Sequence, residues 1–157
     1  MISAGTLRRG AIVANNLENL RAIVDERLWG VVYAVRAAAP KMEGGSITLF
    51  SGTITSRPHP IGAMSTIALS AIEAMAHALA VELAPIRVNT ITPGLVDTPL
   101  QGAPSPERDA RLAAQAEKIP ARHVGTGEDI AQVVLMLMTN RYITGEVIHV
   151  DGGGRYV

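Results

Sequence analysis

The chain has 157 residues, of which 48% are apolar but only 3% aromatic, and its 14 basic residues balance its 14 acidic ones. A neutral chain without a long run of either charge lacks the basic surface that attracts nucleic acids and anionic membranes, so neither is expected as a partner. The absence of cysteine excludes a disulfide framework, a thiolate nucleophile and a cysteine metal site. We expect a single domain over residues 1–157, with a core of Ala, Val, Ile, Leu and Met.

Targeting and metal-binding signals are also missing from the sequence. No unbroken apolar run reaches the roughly 18 residues of a spanning helix. The N-terminal segment MISAGTLRRG has no basic stretch followed by an apolar one, as a secretory signal would. No pair or cluster of residues has metal-ligand spacing, so no metal is expected. A cytoplasmic protein is therefore predicted.

The first third of the chain predicts a strand end, a long helix and a second strand. Met1 to Ser3 reads as the end of a strand, and the short apolar run from Ile47 to Phe50 as a complete one. Between them, Asn15 or Asn16 is suited to cap a helix from Leu17 to Met42, with an expected bend near Trp29-Gly30. Its apolar positions recur at helical spacing: Leu20, Val24, Leu28, Val31, Val35 and Ala38.

The central third predicts a second long helix and a buried strand. The segment from Ile61 to Ala84 is helical, and Ile86 to Ile91 is a strand that Pro93-Gly94 ends sharply. A strand, a crossover helix and a second buried strand form a βαβ unit, so the sheet should be parallel. The apolar face of the helix is predicted to contain Met64, Ala68, Ile72, Met75 and Leu79.

Beyond Leu100 the composition becomes polar and rich in Pro and Gly, with one modest helix between Pro106 and Lys118. This region is either a lid over a site or an ordinary surface excursion. Thr126 should cap a further helix, and Gly145 to Val150 should form the last strand. The buried stripe of that helix is predicted at Ile130, Val133, Val134 and Leu137.

Several segments resemble the second half of a short-chain dehydrogenase/reductase. ELAPIRVNTITPGLVDTP resembles the helix, strand and PG turn beside the nicotinamide in that family, and ITGEVIHVDGGG resembles its last strand. Ser3-Ala4-Gly5 resembles the end of the family's NNAG segment, and Gly44-Gly45-Ser46-Ile47 the entry to its fifth strand. The resemblance implies an α/β fold: a Rossmann-like parallel sheet with flanking helices that lacks the family's N-terminal strands and glycine-rich turn.

The family's chemistry is a hydride transfer between NAD(P)H and a carbonyl or alcohol, with a Tyr as proton donor. A Lys four residues later lowers the pKa of that Tyr, while a Ser and an Asn complete the tetrad. In this chain the Tyr position falls on Ser65 and the Lys position on Leu69. The Ser position falls on Gly52, next to Ser51, and the Asn position on Arg27. All four catalytic residues are thus substituted.

A different alignment does not restore the pair. No Tyr lies between Tyr33 and Tyr142, and no Lys lies between Lys41 and Lys118. Leu69 cannot lower any pKa, and a serine hydroxyl such as that of Ser65 is too weak an acid to donate a proton at neutral pH unaided.

The resemblance also assigns a remnant of a cofactor site, in which the backbone of Val96 and the hydroxyl of Thr98 would meet the carboxamide of NAD or NADP. The alternative is a turn kept for folding. Because the glycine-rich turn that cradles the pyrophosphate precedes this part of the family's fold, weak or absent binding is expected. The assigned residues are Ala4, Gly5, Pro93, Gly94, Val96 and Thr98.

Three functions remain open. The first is an NAD(P)-dependent oxidoreductase of this family, truncated and with little or no activity. The second is a pseudoenzyme that serves as a binding or oligomeric interaction subunit. The third is an active enzyme with another proton donor, such as His59 between Pro58 and Pro60.

Two surface features carry further expectations. Arg27 would either bind a carboxylate or phosphate or remain a solvated helix residue. The helix at 61–84 is expected to mediate a homo-oligomer, since family members pack this helix against its copy in a neighbouring subunit. Beside its core face it carries a narrow stripe of mostly small residues: Ile67, Ala71, Ala74 and Ala78.

Overall fold

Three parallel strands form the centre of the molecule in the computed structural model, which describes residues 1–2 and 10–157. The strands are β1 (Ser46–Phe50), β2 (Arg87–Pro93) and β3 (Val147–Val150), and they lie side by side in that order. Ile2 adds a parallel bridge to Leu49 of β1. The predicted parallel sheet is confirmed. Ser3, the last residue of the predicted first strand, lies outside the described residues.

Five α-helices and a π-helical segment flank the sheet in the described part of the chain. They are α1 (Leu17–Val24), the π-helical segment Asp25–Trp29, α2 (Gly30–Ala38), α3 (Ala63–Glu82), α4 (Pro106–Ala116) and α5 (Gly127–Thr139). Short 3₁₀ turns occupy Ala39–Lys41, Thr53–Thr55, Pro99–Gln101 and Gly154–Tyr156. The long helix predicted from Leu17 is therefore present, and the π-helical segment lies where a bend was expected, near Trp29-Gly30.

The core divides between the two faces of the sheet. On one face, Leu69 and Ile72 of α3 pack with Leu49 and Val88 of the strands. On the other, Ile91 of β2 packs against α5. Val88 and Ile91 are an odd number of residues apart, and successive strand side chains point to opposite faces, so β2 is covered on both sides. This explains why every residue from Val88 to Thr92 is buried.

The side of α3 that faces the sheet differs from the predicted one. Ala68 and Ile72 are buried as expected, but Ser65, Leu69 and Ala76 complete the buried stripe. The larger side chains predicted there occupy the flanks of the helix, where they are only partly buried: Met64, Met75 and Leu79. Ser65, Ala68 and Ala76 have small side chains, which allow this side of the helix to lie close to the strands. This close packing decides which side of α3 faces the sheet.

By length and composition alone, α3 could cross a membrane, since an 18-residue window of it has a mean hydropathy of 1.5. Ser65, Thr66, Ser70 and Glu73 interrupt the helix, so it contains no unbroken apolar run of that length. Its buried residues pack against β1 and β2 within the core. This packing identifies α3 as a core helix of the α/β domain.

Local signals in the sequence account for the helix starts. The Asn16 side chain accepts a hydrogen bond from the Asn19 amide at 2.8 Å and begins α1. Thr126 and Asp129 form a capping box at the start of α5, with the Asp129 carboxylate accepting from the Thr126 amide at 2.7 Å. Asn16 is one of the two predicted caps of α1, and Thr126 is the predicted cap of α5.

Arg87 ties the end of α5 to the central strand. Its guanidinium donates to the carbonyl oxygens of Leu137 at 2.6 Å and Met138 at 3.0 Å. The last carbonyls of a helix have no partner within the helix, and a cation stabilises that end of its dipole. Because Arg87 belongs to β2, this contact fixes where α5 stands relative to the sheet.

Candidate functional site

A cleft of about 910 Å³ opens at the carboxyl ends of β1 and β2. Residues 50–54 and 93–96, which end and follow these strands, form its floor, and α3 and α5 contribute its two walls. The carboxyl edge of a parallel sheet is where α/β proteins place their ligands, and the volume suits a small molecule. The cleft is therefore the candidate site.

All four positions that the resemblance assigned to the catalytic tetrad line this cleft. Arg27 comes from the π-helical segment, Gly52 from the loop after β1, and Ser65 and Leu69 from successive turns of α3. A side-chain carbon at Gly52 would lie 3.4 Å from the Cδ1 atom of Leu69, so these two positions are in contact range. We call this group the tetrad corner.

The tetrad corner contains no Tyr and no Lys. Leu69 is only 5% exposed and carries no charge, and Ser65, at 9%, offers a hydroxyl alone. Among the described residues that line the cleft, Arg27 has the only ionisable side chain. Burial lowers the pKa of its guanidinium, and the neighbouring Glu26 carboxylate raises that pKa by a smaller amount. An arginine nevertheless keeps its proton at neutral pH, so it offers charge and hydrogen-bond donors but no proton transfer.

The PG turn lies at the cleft, since Pro93, Gly94, Val96 and Thr98 all line it. The structure also supplies a folding reason for the glycine. A side-chain carbon at Gly94 would lie 2.6 Å from the Cα atom of Asp151, closer than real contacts allow. Gly94 thus permits the turn to pack against the loop after β3. This supports the alternative that the turn serves folding.

A dinucleotide would be held only in part by the described residues. Val96 and Thr98 are placed at the cleft, where they suit a carboxamide. Gly152 and Gly153 do not line the cleft and pack instead against the 119–121 segment, where a side-chain carbon at Gly152 would lie 2.8 Å from Ile119 Cγ2. No described strand leads through a glycine-rich loop into a helix, the arrangement that holds a pyrophosphate. Ala4 and Gly5 lie outside the described residues.

A cluster that the sequence did not reveal lies beneath the cleft floor. One carboxylate oxygen of Glu73 on α3 accepts hydrogen bonds from the hydroxyls of Ser51 at 2.6 Å, Thr55 at 2.9 Å and Thr92 at 3.3 Å. These hydroxyls belong to the end of β1, the 3₁₀ turn and the end of β2, respectively. We call these four residues the Glu73 cluster. Its hydrogen bonds connect α3 to the carboxyl ends of β1 and β2, next to the cleft floor.

A signal for Glu73 was present in the sequence but was not used. Ser65, Leu69 and Glu73 follow one another at intervals of four residues, which places them on one side of a helix. A single acidic residue on the sheet-facing side of an otherwise apolar helix requires hydrogen-bond partners. The partners themselves could not be inferred, because they lie between 18 and 22 residues away in the chain.

His59 does not reach the cleft. It is exposed, its ring nitrogen Nδ1 accepts a hydrogen bond from the Ile61 amide at 3.3 Å, and it is absent from the lining. The structure therefore does not bring the alternative proton donor together with the tetrad corner. Among residues 1–2 and 10–157, no group of three or more metal-binding side chains is placed to hold a metal ion.

The polar excursion after Leu100 borders the cleft at its beginning only. Thr98, Leu100 and Gln101 line the cleft, whereas no residue of α4 does. Arg108 of α4 forms an ion pair with Asp97, and Leu112 is buried. The segment after Leu100 is thus packed against the end of the PG turn. This position is compatible with both predicted roles, a lid and a surface segment.

Comparison with known proteins identifies a matching family model and several relatives of this chain. A family model described as enoyl-(acyl carrier protein) reductase matches residues 1–155. An uncharacterised oxidoreductase of Methylorubrum extorquens is 37% identical over 161 residues, which cover 98% of this chain and 64% of that protein. A 3-oxoacyl-(acyl-carrier-protein) reductase of Thermotoga maritima is 31% identical over 159 residues, with 96% and 63% covered. The chain thus spans less than two thirds of the length of these curated relatives, which agrees with the expected partial domain.

A solved structure is similar to this chain in both sequence and fold. The crystal structure of a small-chain dehydrogenase in complex with NADPH is 37% identical to this chain and superposes with a TM-score of 0.86. The similarity covers 95% of this chain and 69% of that one. The Rossmann-like architecture expected from the sequence is confirmed by this match.

The Glu73 cluster predicts a stability effect. Replacing Glu73 by Ala removes the acceptor of the fully buried Thr92 hydroxyl, and an unsatisfied buried donor costs about 1–3 kcal/mol. We expect the free energy of unfolding, measured by urea denaturation, to fall by about that amount. Glu82→Ala, at the exposed end of the same helix, is the matched control and should change it by less than about 0.5 kcal/mol.

A second substitution separates this hydrogen bond from general damage to the helix. Thr92→Val removes the hydroxyl with little change of shape, so Glu73→Ala combined with Thr92→Val should be less destabilised than the sum of the two single variants. Equal losses in Glu73→Ala and Glu82→Ala, or strictly additive effects, would show that the cluster does not stabilise the fold.

Proposed function

The chain belongs to the short-chain dehydrogenase/reductase family, and we propose that it descends from an NAD(P)-dependent oxidoreductase but has little or no carbonyl-reducing activity and acts as a cytoplasmic binding or interaction subunit. The observation that carries this proposal is the tetrad corner. Its positions are occupied by Arg27, Gly52, Ser65 and Leu69, and none of these side chains transfers a proton near neutral pH.

An active enzyme with a substitute donor is less well supported. Such a donor must come within hydrogen-bond reach of the substrate oxygen. His59 is exposed and outside the lining, and Glu73 lies below the floor with its hydroxyl partners. The described residues of the cleft favour binding over turnover.

The first expected outcome is the absence of ordinary turnover. With NADH or NADPH and simple ketones or aldehydes, the rate should lie at least about 10²–10⁴-fold below that of a competent relative, because that factor is what general acid catalysis contributes. Cofactor oxidation followed by absorbance measures it. Turnover above about one per second would contradict the proposal. If that turnover disappeared in His59→Ala, the alternative proton donor would be supported instead.

The second expected outcome concerns the dinucleotide. Because the described residues include no cradle for the pyrophosphate, calorimetry with NADH or NADPH should detect no binding tighter than about 0.1 mM, or about 5.5 kcal/mol. The related dehydrogenase whose structure contains NADPH is the positive control. Micromolar affinity of this chain would mean that a phosphate site exists elsewhere in it.

We also propose a homo-oligomer that assembles through α3. On its outer side Ile67 is 56% exposed, and Ala74 and Ala78 are exposed in line with it, so the helix presents a narrow apolar stripe to solvent. Small side chains allow a second copy of the helix to approach closely, with Ala74 near a twofold axis. An apolar stripe of this kind is stabilised when a partner covers it.

Light scattering tests the assembly. The unmodified chain should measure as a dimer or larger species at micromolar concentration, and Ala74→Glu should dissociate it by placing like charges at the axis. Ala114→Glu, an equally exposed alanine on α4, is the matched control and should leave the mass unchanged. A folded monomer of the unmodified chain would refute this arrangement.

A further inference from the structure

The described lining of the cleft combines one cationic side chain with mostly apolar ones. Arg27 is the only described lining residue with an ionisable side chain. Apolar side chains surround the rest of the space, from the floor, from α3 and from α5: Phe50, Ile54, Leu69, Ile130, Val134 and Leu135. A cleft of this composition matches a ligand that is mostly apolar and carries one negative charge.

The position of Arg27 makes that charge effective. Arg27 is partly buried, so its side chain has lost part of its water shell, and this burial lowers the pKa of its guanidinium. A partly desolvated cation attracts an anion more strongly than a solvated one does. The guanidinium has five N–H donors in a planar fork that matches the two oxygens of a carboxylate.

Neighbouring groups extend the anion-binding capacity of the tetrad corner. Thr53 and Ser65 line the same cleft and carry hydroxyls, which donate hydrogen bonds to anionic oxygens. No described carboxylate side chain lines the cleft, since Glu73 lies beneath the floor and accepts from the Ser51, Thr55 and Thr92 hydroxyls. Among the described lining side chains the charge is therefore positive.

The backbone around Arg27 is also unusual. Arg27 lies within the π-helical segment Asp25–Trp29, between the regular helices α1 and α2. Single π-helical turns are rare and occur frequently at functional sites. This local geometry and the cleft lining are independent observations that select the same residue.

We propose that the cleft binds an amphipathic monocarboxylate, such as a medium-chain acyl carboxylate, with its carboxylate on Arg27 and its chain along the apolar wall of α5. The proposal rests on the proposed function, since a cleft without a proton donor holds its ligand instead of converting it. The class of ligand expected at the tetrad corner is therefore an amphipathic monocarboxylate.

Calorimetry on the full chain, without any dinucleotide, tests the proposal with decanoate and decan-1-ol as probes. Decanoate should bind at least about tenfold more tightly than decan-1-ol, a difference of about 1.4 kcal/mol. It should also bind at least about tenfold more tightly than hexanoate, because the longer chain buries more apolar surface. Acetate at equal concentration should not displace it.

Variants of Arg27 test whether its charge causes the preference for decanoate over decan-1-ol. Arg27→Met should reduce decanoate affinity to that of decan-1-ol while leaving decan-1-ol unchanged, and Arg27→Lys should keep part of the advantage. Arg21→Met, an exposed arginine of α1 that does not line the cleft, is the matched control and should behave like the unmodified chain. Circular dichroism checks the fold of each variant. If Arg27→Met does not fold, Arg27→Lys and the comparison of the two probes on the unmodified chain decide.

Several results would overturn the proposal. They are equal affinity for decanoate and decan-1-ol, undiminished decanoate binding by a folded Arg27→Met variant, and displacement of decanoate by inorganic phosphate or NADPH, which would identify a phosphate site. None of these results involves turnover, so they leave the proposed function standing. Conversely, carbonyl reduction at an ordinary rate would refute the proposed function without changing the binding data.

Discussion

The structure depends on the central position of β2, which pairs in parallel with β1 on one edge and with β3 on the other and is covered by helices on both faces. A strand enclosed in this way leaves no water for its polar side chains, so they depend on partners within the protein, and the buried Thr90 hydroxyl has none among the described residues. Asn89 finds one by donating to the Ile143 carbonyl at 3.0 Å and accepting from the Glu146 amide at 3.0 Å. Through these bonds β2 also positions the segment that leads into β3.

The same enclosure connects the fold to the site. Thr92, near the end of β2, is fully buried and directs its hydroxyl to Glu73, while Gly94 immediately after the strand packs against Asp151. The carboxyl end of β2 is therefore held from the side of α3 and from the side of the C-terminal loop. A cleft floor fixed in two directions offers a preformed space for a ligand.

The fold of this chain is that of the family, with a TM-score of 0.86 to a relative crystallised with NADPH. The tetrad corner, in contrast, contains Arg27, Gly52, Ser65 and Leu69. A hydrophobic core and a parallel sheet tolerate such substitutions, since they require shape and burial and not a proton donor. Leu69, at the position that the resemblance assigned to the family's Lys, is itself buried and adds to the core.

The sequence by itself determined the order and type of the elements, because each has a local cause. Short apolar runs and helical periodicity marked the strands and helices, Thr126 marked the start of α5, and Pro93-Gly94 marked the end of β2. Resemblance to the family assigned the four tetrad positions, and the structure brings all four to one cleft.

Only the tertiary structure decided which side of α3 faces the sheet and which side chains meet beneath the cleft. Helical periodicity shows that a helix has an apolar side, but Met64 and Ser65 are adjacent in sequence, and only docking against the strands selected Ser65 for burial. The convergence of Ser51, Thr55 and Thr92 on Glu73 likewise depends on how β1, β2 and α3 are placed in space. Long-range contacts of this kind arise from packing, and no local pattern in the chain encodes them.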